Sequence, residues 1–151
     1  MRTLHLVDVE NLCGCPQPSE SLVRATLERY RRSMGVRDVD HAVVAAASRT
    51  AFFVGLAWPG ARVRVGRGPD GADRAILDST DVRHIAKSYS WVVIASGDHI
   101  FAPLVKSLQG PGLDVEVVAP TRGIAQDLRR AAAPLRHFDV LYDAETLGLA
   151  S

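Results

Sequence analysis

Short apolar runs alternate with segments of helical periodicity along the chain, and this alternation constrains the fold more than any single motif. Strands are read at residues 4–7, 42–46, 61–65, 91–95 and 115–118, with a short sixth at residues 138–142. Between the first two, Leu22, Val23, Leu27 and Tyr30 recur at helical spacing after a capping Ser19, and Gly35 ends that helix. Further helices are expected from a cap at Ser48 or Thr50 to residue 56, over residues 73–88, over residues 101–108, and from the turn at residues 120–123 to about residue 133. Residues 12–18 read as a loop because Gly and Pro punctuate them. Such a chain makes right-handed crossovers, which give a parallel sheet with helices on both faces. The expected fold is therefore α/β, a Rossmann-like three-layer α/β/α arrangement around a mostly parallel sheet of five or six strands. Residues 1–151 read as a single domain, without repeat or linker.

Composition excludes several functions. The apolar fraction is 47%, enough for a sizeable core, and the formal net charge is only +1. No global field draws the chain to a polyanion, so such a partner has to be held by a local patch. There is no uninterrupted apolar run of about 18 residues and no basic segment leading into an apolar one, so neither a membrane span nor a signal peptide is expected. Cys13 and Cys15 are too close to staple a domain and lack the companions of a zinc site. A cytoplasmic protein with reduced thiols is the expectation.

Chemistry concentrates where strands end. Asp8, Glu10 and Asn11 follow the first apolar run, Asp98 follows the fourth, and Asp73 stands at a loop-to-helix entry. In open parallel sheets ligands bind beyond the carboxyl ends of the strands. Taken singly, Asp8 reads as readily as a structural group, capping a helix or pairing with an Arg, as it does as a functional acid. Brought together, like charges raise one another's pKa unless a cation sits among them. Hard oxygen donors select Mg²⁺ or Mn²⁺, cations suited to phosphodiester hydrolysis. A small-ester phosphatase is a weaker reading, because Asp8-x-Glu10 lacks the second aspartate of the haloacid-dehalogenase pair.

Asp8-Val9-Glu10-Asn11, Gly71-Ala72-Asp73 and the segment Ser96-Gly97-Asp98-His99-Ile100-Phe101-Ala102-Pro103 resemble the three signature segments of the NYN family, PIN-like metal-dependent ribonucleases. The resemblance implies that Asp8, Asp73 and Asp98 bind metal and that Asn11 orients an acid or the substrate. It likewise implies that Ser96 is the small hydroxyl beside the third acid, and that RNA is cut to leave a 5′-phosphate. One departure stands out. The family usually carries a second acid two residues after the Ser-Gly-Asp aspartate, and here that position is Ile100. Two readings follow: an endoribonuclease using Mg²⁺ or Mn²⁺, or a catalytically weakened module that binds RNA or a protein.

For a phosphate backbone, Arg67 and Arg122 are the candidate contacts together with Ser96, since both arginines follow strands at the active edge and arginine's planar fork suits phosphate. Arg62, Arg64 and Arg74 read as solvated charges. Glu10 is a weaker candidate metal ligand, since strand alternation can turn it away from Asp8; His99, Asp78 and Asp127 read as surface groups and Asp70 as turn chemistry. His5, Trp58, Trp91 and Phe101 read as core. Gly66-x-Gly68-x-x-Gly71 reads as a turn rather than a dinucleotide fingerprint, so no dinucleotide cofactor is expected. The partner expected is RNA; a homodimer stays open, because apolar residues assigned to the core include candidates for an interface.

Overall fold

The computed structural model describes residues 1–67, 71–122, 124–131 and 134–141. Within them, strands β1 (Thr3–Asp8), β2 (His41–Ala47), β3 (Arg62–Gly66), β4 (Trp91–Ala95), β5 (Asp114–Pro120) and β6 (Leu135–Phe138) form one six-stranded sheet. All five neighbouring pairs are parallel, in the order β3-β2-β1-β4-β5-β6. That order reverses between β1 and β4, the switch point at which doubly wound sheets open a crevice beyond their carboxyl ends.

Side chains alternate across a strand, so each strand serves two cores. Leu4, Leu6, Val92, Ile94, Val115 and Val117 face one buried cluster, which the helices α4 (Gly71–Asp78), α5 (Val82–Ser88), α6 (Ala102–Gln109) and α7 (Gln126–Ala131) help to close. Val7, Val44, Val93 and Val118 face the other, packed against α1 (Val9–Cys13), α2 (Glu20–Ser33) and α3 (Ser48–Ala57). Phe101, Leu108 and Leu128 are fully buried in the first cluster, Leu27 and Tyr30 in the second. Two faces each covered by helices make the expected three layers.

The local readings meet several corrections. Leu12 and Cys13, expected to open a loop, instead complete the short helix α1 (Val9–Cys13), because the Asp8 carboxylate caps it at the Asn11 amide (3.4 Å) and Gly14 ends it at φ 68°. The long helix expected over residues 73–88 is broken into α4 and α5. Ser79 and Thr80 turn their hydroxyls back onto the Ile76 and Leu77 carbonyls, and Asp81 then caps a new helix at the Arg83 and His84 amides. Neither Ser48 nor Thr50 caps α3; Ala47 holds that position without a side-chain bond of its own. The last strand lies at Leu135–Phe138, ahead of its expected place, and Tyr142 falls outside the described residues. Trp58 and Phe101 are core as expected, whereas Trp91 is 41% exposed. Ser19 caps α2 at the Leu22 amide (3.1 Å), as its position predicts. The outer strand β3 leaves Arg62 and Arg64 exposed.

His5 lies in β1 at 2% exposure, with Nδ1 2.8 Å from the Tyr30 hydroxyl. Burial pushes its pKa down to about 4, only partly offset by nearby Asp40. The unfolded chain therefore binds this proton more tightly, so the group's stabilising contribution is complete above pH 6.5 and is lost as pH falls toward 4. A depression of that size corresponds to about 3 kcal/mol. Urea unfolding of wild type and His5→Gln at pH 7 and pH 4.5 is expected to show the wild type losing more stability than the variant, by about that amount.

Candidate active site

The even-numbered positions of β1 and β4 point to the α4 side of the sheet, so the parity that buries Leu6 and Ile94 carries Asp8 and Ser96 onto the same face at its carboxyl edge. Asp8 is 5% exposed. Its Oδ2 accepts from the Ser96 hydroxyl (3.2 Å), and the same Ser96 oxygen accepts from the Asp98 amide (3.2 Å). Asp98 is half-buried; its Oδ1 accepts from the Ile100 amide (3.0 Å) and so caps the 3₁₀ turn His99–Phe101. The Asn11 carboxamide oxygen accepts from the Gly97 amide (2.9 Å), joining the start of α1 to the loop after β4. These bonds lace the ends of two adjacent strands together across the switch point.

Asp73 comes from α4 and is 5% exposed. Its carboxyl lies against those of Asp8 and Asp98 and is electrostatically coupled to both. Burial, then the contacts with Asp8 and the charge of Asp98, holds its pKa far above the carboxylate range. Asp8 is also pushed up, mainly by burial, against the opposing pull of its bonds to Asp73, Asn11 and Ser96. Carboxyls crowded in this way resist full ionisation.

Asp73 reaches this place because β3 and α4 meet backbone to backbone. A Cβ on Gly66 would lie 2.0 Å from the Gly71 carbonyl carbon, so only glycine fits at the end of β3. Gly66→Ala is expected to cost about 3 kcal/mol through overpacking and to displace the start of α4 with Asp73 on it. Urea unfolding measures the cost; an unchanged midpoint would show that the contact relaxes freely.

Asp8, Asn11, Asp73, Ser96 and Asp98 are thus brought together at one edge of the sheet. Arg67 and Arg122 are exposed just beyond β3 and β5 at the same edge, and neither makes a hydrogen bond or ion pair with another described residue. Glu10 turns its Oε1 to the Ala47 amide (2.6 Å) and supplies the cap that α3 lacks. Burial raises its pKa as well. No local signal announces that role, since the partner lies 37 residues away. His99 is 75% exposed with Nδ1 3.2 Å from Asp98 Oδ1. Ile100 is half-buried and packs against the first core cluster. Asp70 lies outside the described residues.

The donor set tests for a metal. Among the described residues no group of three or more His, Cys, Asp or Glu side chains is arranged to enclose an ion. The chemistry of the three aspartates nevertheless fits a hard divalent cation: their donors are carboxylate oxygens, and Asp73 Oδ1 is buried without a hydrogen-bond partner. A cation there would offset the charge that these crowded carboxyls otherwise resist carrying.

Comparisons with other proteins agree with this architecture. The crystal structure of a protein of unknown function, VPA0982 from Vibrio parahaemolyticus RIMD 2210633, is similar at a TM-score of 0.61 and 24% identity, covering 91% of this chain and 93% of that one. At that identity the likeness shows the fold. No curated protein matches the chain at a significant level. The family model for the NYN domain matches residues 6–139, which takes in all three acids and both arginines, and the chain belongs to the NYN family.

Proposed function

We propose that this chain is a divalent-cation-dependent endoribonuclease that hydrolyses RNA phosphodiester bonds at the carboxyl edge of its sheet. The observation that carries the reading is the convergence of Asp8, Asp73 and Asp98, from two strand ends and a helix, into one cluster of interacting carboxyls. Mg²⁺ or Mn²⁺ held by these aspartates would offset phosphate charge and lower the pKa of a water nearby. Asp8 and Asp73 provide buried carboxylates, and Asp98 provides the more open one facing substrate. Ser96 fixes the Asp8 carboxylate through its hydroxyl, and Asn11 fixes the loop that carries Asp98. Arg67 and Arg122 stand exposed at the same edge to receive backbone phosphates. In this reading residues 1–151 work as one domain in the cytoplasm; no helix among the described residues is long and apolar enough to cross a membrane.

The test is cleavage of a single-stranded RNA with Mn²⁺ by wild type and by Asp98→Asn. Turnover that disappears with a chelator and in the variant supports the proposal, and equal rates in both proteins overturn it.

Ile100 favours the second reading, a module that binds RNA or a protein without cutting. Its side chain packs into the core where the family resemblance implies an acid. RNA retained on the wild type with no cleavage at any Mn²⁺ concentration would select it.

A further inference from the structure

The opposite edge of the sheet, on the opposite face, holds a second set of polar groups that the aspartate site does not use. A cavity of about 290 Å³ opens there, lined among others by His5, Met34, Trp91, Val93, Glu116 and Arg136. It lies about 10 Å from Asp8 along β1, at 3.3 Å per strand residue. Parity explains its membership: His5, Val93 and Glu116 are the positions of β1, β4 and β5 that face α2, and Met34 follows the end of that helix.

Its chemistry narrows the occupant. His5 is 2% exposed, and its Nε2 has no hydrogen-bond partner while Nδ1 is engaged by Tyr30. A buried polar atom left unpaired is costly, so this one is a ready contact for a ligand. Glu116, 3% exposed, pairs with Arg136 (Nε to Oε1 2.9 Å), offering an acceptor and a donor side by side. Arg37 and Asp40 form a second pair at 3.0 Å on the cavity wall. The lining charges therefore cancel, two against two, and His5 is kept neutral by its burial. Trp91 adds a partly open indole face. The volume lies at the small end of ligand sites, which run from about 300 Å³ upward.

A fitting occupant is small, flat and uncharged, with a face to stack and an edge that both donates and accepts hydrogen bonds. We propose that the cavity binds a single nucleobase, stacked on Trp91 with its polar edge toward His5 and the Glu116–Arg136 pair. The base is presented by a free nucleoside or by an unpaired nucleotide of an RNA strand. The proposal stands independently of the nuclease reading, because none of its residues belongs to the aspartate site.

The chain has two tryptophans, and Trp58 is buried at 6% exposure, so ligand quenching of fluorescence reports on Trp91. Adenosine, guanosine, cytidine and uridine are titrated to about 10 mM, a limit near −3 kcal/mol of binding free energy, and against them a short oligoribonucleotide in EDTA. Calorimetry repeats both arms on Trp91→Ala and Glu116→Gln. Saturable binding by a nucleoside, weakened at least tenfold in Trp91→Ala and altered in base preference by Glu116→Gln, supports a free-nucleoside site. Binding by the oligonucleotide alone, with the same dependence on Trp91, supports the RNA source. No binding in either arm, or affinity unchanged in Trp91→Ala while its melting temperature matches wild type, overturns the proposal.

Discussion

Asp98→Asn is expected to slow RNA cleavage about a thousandfold or more, ~4 kcal/mol of transition-state stabilisation. The substitution is nearly isosteric, and the asparagine oxygen can still accept from the Ile100 amide that caps the 3₁₀ turn. The Asp98 backbone amide keeps its bond to Ser96, and Ser96 keeps its bond to Asp8. What disappears is a negative charge at the open side of the cluster, where a cation and a phosphate would meet. A melting temperature equal to wild type, measured alongside turnover, separates lost chemistry from lost structure. A variant that folds normally and cleaves at more than a tenth of the wild-type rate would remove Asp98 from the mechanism.

Asp73→Asn is expected to move stability in opposite directions with and without a divalent cation. In the folded chain the Asp73 carboxyl holds its proton far above the usual range, chiefly because it is buried and then because of Asp8 and Asp98. A raised folded pKa means that stability is greatest below the unfolded pKa and falls as pH rises. Each pH unit over which the folded state alone keeps the proton costs about 1.4 kcal/mol. His5 opposes this trend only below pH 6.5, so the clean window lies above it. In EDTA between pH 6.5 and 8, the wild-type melting temperature should therefore drop by several degrees, at roughly 2–4 °C per kcal/mol. The carboxamide of the variant carries no proton to lose, so its profile should be flatter and it should melt higher than wild type at pH 8. Mn²⁺ at a hundred times its dissociation constant should stabilise the wild type by about 2.7 kcal/mol and leave the variant unmoved. Equal pH profiles in EDTA would mean that the folded chain does not raise the pKa of Asp73.

The sheet is legible in the sequence because strand and helix patterns differ in period, and residues such as Leu6, Val44 and Ile94 sit in short, mainly apolar runs. Asp8 and Asp98 are legible as candidate site residues for the same reason, since a strand's end places them at the sheet's carboxyl edge. Asp73 is harder. It is a helix residue, and its arrival depends on the Gly66–Gly71 approach, which no local propensity encodes. The break between α4 and α5 escapes the periodicity because Ile76, Leu77, Val82 and Ile85 keep an apolar pattern across it, while the interruption comes from hydroxyls bonding to the backbone. Glu10 as the cap of α3 and the cavity around His5 are hidden altogether. Both assemble groups from segments distant in the chain, brought together only by the order of strands.

The strand at one end of the sheet also bears on how the chain behaves in a crowded solution. An open edge is a template for further strands, and fibrils can begin by one copy adding to another. Here that rim projects two guanidinium groups, Arg62 and Arg64, into solvent. Two such rims laid side by side would repel, so end-to-end growth is discouraged at the moment of encounter.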